Sequence, residues 1–444
     1  MPQNENIPDS TTPDATTDSA TDSMTDSTPD AKVEDGAPAP ENAQATQSKN
    51  KGRKGGEPEQ PKQPEQKVDP TDKPAQPARA DKADKPKAPR LTHPEPVHST
   101  PDRSETLRRV DGREMRLAVG NSHFPVEQTE AWERFEEAMG RPLWGRYLYE
   151  DEGKPVAAIA LYRYEMGGQT FLWAKHGPVW LKEQSPEREA HLRRLLRSVV
   201  KERDRSVRFI RMHARYRAAD LRELLSTITY DRTYVIDLVP KTPEKIAAVM
   251  PKDGRRAVKR AERVAREAGC TISDETGLSR EEFDQVYEVL RETALRDGFK
   301  PHDAEVYWTM LTSLGEKNAR LFVLRKDGIP HAWDLILTSG KDSVAYYGAS
   351  SNESRTFRGA EALDWWAACT LAQEGYRGLD LMGAGSTRVP SLYTVGQYKK
   401  RYAQHVTEVD GACDVPVSRV IYSGMSAAKR LRDALRARRG SRED

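Results

Sequence analysis

The sequence predicts an α/β (α+β) protein built from a duplicated unit behind a long disordered tail. Three observations carry this expectation. Residues 1 to about 112 hold almost no large apolar side chains, while the rest has ordinary globular content. Two predicted hairpins share a turn glycine followed two residues later by proline, at Gly153/Pro155 and at Gly328/Pro330. Each hairpin leads into a further strand, a helix and a closing strand, which reads as one α/β plan used twice.

The chain has 444 residues, enough for about two to three domains. Its formal net charge of +2 sets up no overall field for a polyanion. Before Lys49 there is a single base, Lys32; from Lys49 to Arg109 the chain is basic and rich in proline. That half-tail could touch anionic lipid or RNA, and a solubilising tail is the plainer reading. Cys270, Cys369 and Cys413 lie far apart without metal or disulfide spacing, as isolated thiols of a reducing compartment do. No run approaches the roughly twenty apolar residues of a spanning helix, and the acidic N-terminus is unlike a signal peptide. A cytoplasmic protein, or one peripheral on the inner face of the plasma membrane, is expected.

Order is expected from near Met115. Trp132, Phe135 and Met139 recur at helical spacing over Glu130 to Met139. Tyr147 to Tyr149 and Val156 to Arg163 flank the first turn, and Thr170 to Trp173 is the next strand. Ser185-Pro186 is a cap followed by proline at the first helical position, and Val207 to Met212 closes the unit. The second unit runs Leu321 to Leu324, Ala332 to Thr338, Val344 to Tyr347, a helix from Gly359 to Gln373, and Gly378 to Met382. Between the units the sequence predicts three helices. One opens at Thr242-Pro243, a basic one spans Gly254 to Glu267, and one opens at the capping box Ser279/Glu282. A last basic helix covers about Ala427 to Arg438, with Met425, Ala428, Leu431 and Leu435 as its stripe. It is expected either to pack on the first domain, the preferred reading, or to lie on a membrane surface. The resulting division is tail 1–112, first domain 113–240, second domain with its basic insertion 241–418, and terminal helix 419–444.

No P-loop, Rossmann fingerprint, HExxH or GxSxG is present. The loop before the second unit's helix, Ser354-Arg355-Thr356-Phe357-Arg358-Gly359, has one glycine where a coenzyme A pyrophosphate would want several. The specific stretch is YYGASSNESRTFRGAEALDWWAACTLAQEGYRGLDLMG from Tyr346, then LYTVGQYKKRYAQ. It resembles the Fem family of aminoacyl-tRNA-dependent peptidoglycan peptidyltransferases, through Tyr347-Gly348-Ala349-Ser350-Ser351, Trp365 or Trp366, Gly375-Tyr376, Asp380 with Gly383, and Tyr398-Lys399-Lys400-Arg401-Tyr402. Gln128 with Trp132, Gly177-Pro178 and Arg296-Asp297-Gly298-Phe299 support the likeness, which covers about residues 115 to 420.

The resemblance implies two tandem acetyltransferase-like (GNAT-type) domains. It also implies transfer of an amino acid from aminoacyl-tRNA to the side-chain amine of a lipid-linked or UDP-linked muropeptide, by a monomer without a cofactor of its own. An aminoacyl ester is already activated, so no protein nucleophile is required; the oxyanion needs a fixed donor. The resemblance assigns that role to Lys399, which spacing alone leaves a surface lysine beside Lys400 and Arg401. It places Tyr347 and Trp173 against the acceptor, Trp173 standing where tyrosine is usual. Where the family has a phosphate-binding arginine after Phe299, this chain offers Lys300 and His302 before Tyr307, with Arg296 upstream. Glu136 stands where relatives can carry a phosphate-binding lysine. Asp380 could orient or deprotonate the amine, though a strand-end aspartate is more often structural. Arg255, Arg256, Lys259 and Arg260 on the basic helix are the tRNA candidates, with a solvated charged face as the equal alternative. The rival functions are an acyl-CoA-dependent N-acyltransferase and a non-catalytic RNA- or membrane-binding protein.

Overall fold

The computed structural model describes residues 105–120, 122–225 and 229–440. The expected tail lies outside these residues as far as residue 104, but it does not extend to 112. β1 (Glu105–Val110) pairs antiparallel with β2, from Glu105 opposite Asp151 to Val110 opposite Arg146. This strand is charged because it is an edge: Arg108 reaches Glu150 at 2.9 Å and Glu114 at 2.5 Å. Composition therefore hid it.

α1 (Gly112–Val119) is capped by the Asp111 side chain, and α2 (Glu130–Ala138) by Thr129, which accepts from Trp132 N. β2 (Leu143–Asp151) and β3 (Lys154–Met166) meet at Glu152-Gly153, both with positive φ (50° and 72°), a two-residue turn whose twist suits a hairpin. β4 (Gln169–Trp173), β5 (Val179–Trp180), α3 (Pro186–Arg203) and β6 (Val207–Ala214) complete the first unit. Then follow β7 (Arg232–Asp237), α4 (Pro243–Val249), α5 (Lys252–Glu267), β8 (Cys270–Asp274), α6 (Arg280–Asp297) and α7 (Ala304–Leu314). The Ser279/Glu282 capping box of α6 is formed in both directions. α7 is a fourth helix between the sheets, beyond the three expected; its Asp303 N-cap makes no side-chain bond, so no capping signal marked it.

β9 (Ala319–Lys326), β10 (Ile329–Ser339), β11 (Asp342–Ser350), α8 (Gly359–Gln373) and β12 (Gly378–Gly383) form the second unit. Its first turn, Asp327-Gly328, has φ values of 52° and 78°, matching the other hairpin. Both hairpins also slip register just past the proline, between Tyr149/Glu150 opposite Ala157/Pro155 and between Pro330 and Ala332. Proline is tolerated there because a bulge needs no ladder hydrogen bond from it. α9 (Tyr393–Lys399), β13 (Thr407–Glu408), β14 (Gly411–Pro416) and α10 (Arg419–Gly440) end the described chain.

The first sheet runs β1-β2-β3-β4-β6-β14, with β5 beside β3; the second runs β13-β7-β12-β11-β10-β9-β8. Domain limits at 240 and 418 therefore miss an exchange. β7, assigned to the first stretch, pairs with β12 of the second sheet, and β14 returns to pair with β6 of the first. Residue alternation along the strands sorts the core into layers. Leu192, Leu196 and Val200 of α3 cover one face of the first sheet. α5 and α8 cover the outer face of the second. Between the sheets lies a shared core in which Trp132 and Phe135 of α2 meet Tyr307, Met310 and Leu311 of α7.

Candidate active site

β11 and β12 pair in parallel only from Asp342 to Val344 and from Gly378 to Asp380, then diverge. The chain leaving β11 turns at Arg358, which holds a left-handed conformation (φ 56°) as the residue capping α8. Gly359 follows because a Cβ there would lie 2.4 Å from Ser354 Oγ. This packing opens a cavity of about 510 Å³ at the α8 N-terminus, lined by Arg296, Arg355, Arg358, Thr394, Tyr398 and Arg401. Glu361 offsets part of the charge, pairing with Arg358 at 2.5 Å and Arg401 at 3.0 Å. Burial nevertheless holds the Glu361 carboxyl above its usual range. The Arg358 Nε is buried without a hydrogen-bond partner among the described residues. Four guanidinium groups at a helix N-terminus form an anion site.

Of the expected acceptor residues, Arg296 belongs to this cavity, held by Asp297 at 2.9 Å and by the Ser350 carbonyl at 2.6 Å. A second hollow shares Gln397 and Arg401 with it and is lined by Lys252, Arg255 and Lys400. The four tRNA candidates thus lie on the helix that borders this basic strip. Arg256, Lys259 and Arg260 are exposed, while Arg255 is half-buried and closes the end of α4 through the carbonyls of Ala248 and Met250. Gly254 lets α5 approach, since a Cβ there would strike the Arg401 carbonyl oxygen at 1.7 Å.

A second group of residues gathers between the sheets. Tyr307 is buried edge-on to Tyr347 (4.8 Å between centroids), and His302 N donates to the Tyr307 hydroxyl at 3.3 Å. Lys300 is exposed on the same loop. Burial and the charges of Lys175 and Arg141 push the His302 pKa down. Trp173 is buried, with Lys175 Nζ 4.9 Å from its ring and its own indole N–H unpartnered among the described residues. Lys175 also stands over Trp132 at 5.1 Å and Tyr164 at 5.6 Å. Beneath it, buried Glu136 accepts from Trp132 Nε1 at 2.8 Å and Tyr164 OH at 2.5 Å and pairs with Arg141. Glu136 is therefore an anchor that orients two cations, Lys175 and Arg141. Sequence reasoning missed both; the nearest signal was Lys175 standing two residues before Gly177-Pro178. Close by, burial raises the pKa of Glu127, whose neighbours are Tyr346 and, at 3.6 Å, His176.

Lys399 stands apart from both groups. It is 1% exposed, and its Nζ donates to the Gly383 carbonyl at the end of β12 at 2.8 Å. Its charge favours the ionised forms of Asp364 and Asp380, against burial that raises both pKa values, Asp364 to about 6. Asp380 accepts from Met382 N at 2.7 Å and from Thr233, so it ties off the strand end. Asp364 takes the Tyr398 hydroxyl at 2.5 Å and faces Asp334 of β10, whose carboxyl burial and the Asp364 charge drive well above the usual range. The sequence had not marked this buried pair of acids.

Residues 252–400 match the acetyltransferase (GNAT) domain family. Each sheet holds one parallel pair linked through a helix, β4 and β6 through α3 and β11 and β12 through α8, so the fold is two tandem GNAT-type domains. The crystal structure of FemX superposes with a TM-score of 0.57 at 15% identity, covering 72% of this chain and 99% of that one. The fold is Fem-like. Two weaker likenesses are the structure of L-PGS from Bacillus licheniformis (TM-score 0.44, 13% identity, 73% and 97% covered) and a tandem GNAT protein from the clavulanic acid biosynthesis pathway (0.41, 12%, 71% and 99%). No curated protein matches the chain in sequence. The chain thus carries a domain of the acyl-transferring GNAT type, and the basic cavity lies where that domain's β11/β12 pair opens. Among the described residues no helix is long and apolar enough to cross a membrane.

Proposed function

We propose that the protein moves an amino acid from aminoacyl-tRNA to the side-chain amine of a peptidoglycan-precursor stem peptide, forming an interpeptide bridge. The observation that carries this reading is the arginine-lined cavity at the α8 N-terminus continuing into the basic strip along α5. A coenzyme needs one pyrophosphate cradle. A tRNA acceptor end brings several phosphates in series, and the four arginines followed by Lys252, Arg255 and Lys400 offer a run of cations for them.

In the reaction the neutral acceptor amine adds to the ester carbonyl, an amide bond forms, and the ribose oxygen leaves with the proton the amine gives up. The arginines hold the terminal phosphates of the donor. Lys399 supplies positive charge at the splayed strand ends for the developing oxyanion. Lys175, Arg141, Lys300 and His302 face the acceptor's diphosphate from between the sheets, with Tyr347, Tyr307 and Trp173 as the aromatic wall of that region.

The test incubates purified protein with total tRNA charged with labelled amino acids and with lipid-linked or nucleotide-linked stem peptide, read by mass spectrometry. A product heavier by one or more amino-acid residues, dependent on charged tRNA, is expected. Arg358→Ala and Arg401→Ala should each weaken tRNA binding and lower the slope of log affinity against log salt by about 1. A mass gain supported by acetyl-CoA and not by charged tRNA would establish the acyl-CoA reading instead. Retained tRNA binding with no mass gain on any acceptor would establish the binding-protein reading.

A further inference from the structure

We infer that the outer half of α10 is a membrane-surface helix that seats the protein on an anionic lipid bilayer. The inner half is fixed to the fold. Tyr422 is buried edge-on to Phe209 of β6 (5.4 Å), and its hydroxyl meets Asp414 at 2.8 Å and the Glu223 carbonyl at 2.9 Å. Met425 still packs on the shared core. Beyond it the helix carries apolar groups that stand largely in solvent: Leu431 is 64% exposed and Leu435 52%. One turn apart, they share a face, and exposed Ala428 continues it toward the fold.

The same turns are strongly basic. In sequence these turns hold Lys429, Arg430, Arg432, Arg436, Arg438 and Arg439 against one acid, Asp433, which pairs with Lys429 at 2.7 Å. Leucines on one face of a cationic helix too polar to span a bilayer are what an interface of headgroups and acyl chains binds. Each surplus base near such a surface raises binding about five-fold, and the leucines enter the acyl boundary. RNA would use the charge and leave the leucines in water, and an apolar protein groove would leave the bases unmatched. The contact is independent of the proposed transfer reaction, because it is read without turnover.

The experiment is co-sedimentation of the full chain with vesicles of equal parts phosphatidylglycerol and phosphatidylcholine, beside vesicles of phosphatidylcholine alone. The intact chain should pellet with the anionic vesicles and not the neutral ones, less so as salt rises. The double variant Leu431→Ser/Leu435→Ser should keep its melting temperature, since both side chains are exposed, and lose at least about tenfold in vesicle affinity. Equal binding to both vesicle types would overturn the inference. So would a double variant that binds anionic vesicles as well as the intact chain does, because the contact would then belong to the basic stretch after Lys49. Loss of tRNA retention with vesicle binding unchanged would assign α10 to RNA.

Discussion

Replacing Lys399 should damage both the fold and turnover, and the two losses can be separated. The side chain is closed from solvent; its ammonium meets the Gly383 carbonyl at 2.8 Å and offsets Asp364 and Asp380. Lys399→Met keeps most of the volume and removes the charge. It leaves a buried carbonyl and two carboxylates without their cation, a kind of loss that costs about 3–5 kcal/mol. With roughly 330 described residues, unfolding entropy near 2.1 cal/mol/K per residue gives ~0.7 kcal/mol per degree. The melting temperature should therefore fall by about 4–7 °C, read by calorimetry. Turnover, measured well below that transition by mass gain on the acceptor, should fall about a hundredfold or more if the ammonium also meets the oxyanion. A Met variant that melts with the native protein would refute the account of Lys399 as a buried counter-charge. One that melts lower yet turns over normally would leave Lys399 a purely structural cation and move the oxyanion role elsewhere.

Two further outcomes follow from buried charge. Asp334 and Asp364 have folded-state pKa values above those of the unfolded chain: burial disfavours ionisation of both, and the Asp364 charge adds to it at Asp334 as the Glu361 charge does at Asp364. Their protons are held more tightly when folded, so stability is full below about pH 4 and declines as pH rises through the folded values. Asp334→Asn imitates the protonated acid and should stabilise the protein at pH 7.5, where the buried Asp334 carboxyl is held against ionisation. The gain should vanish near pH 4; a melting-temperature series that shows no pH trend would sink the idea. Asp414→Ala should be strongly destabilising, by about 3–5 kcal/mol, since it strands the Arg211 guanidinium, fully buried and held at 2.8 and 3.2 Å. Asp414→Asn should cost less in the same denaturation assay.

The duplicated plan was legible because its signals are local. Turn glycines, the prolines after them and the Ser185, Thr242 and Ser279 caps act within a few residues, and the structure forms each of them. The strand exchange was not legible. β7 and β14 find partners in the other half's sheet, and nothing inside Arg232–Asp237 or Gly411–Pro416 says which edge is free. β1 escaped for a different reason: an edge strand stabilised by Arg108 ion pairs has the composition of a solvated tail.

For the site, the difficulty is that charge sign along the chain does not give charge sign in space. Lys399-Lys400-Arg401 reads as a solvated run, yet the helix turn sends Lys399 into the core beside Asp364 and Asp380 while Arg401 lines the cavity. Arg355 and Arg358 entered the sequence argument only as the wrong residues for a glycine-rich loop. Their function as cation donors emerges once α6 and α9 bring Arg296 and Arg401 to the same hollow. Glu136 is the sharper case. A carboxylate at a phosphate-binding position reads as lost affinity, but the buried Glu136 is spent on Trp132, Tyr164 and Arg141, and Lys175 sits above it. Lys175 and Arg141 both depress the pKa of His302 across the gap, so the field that reaches the second domain is positive. An acid at Glu136 therefore holds the cations in place, a role readable only from the contacts that surround it.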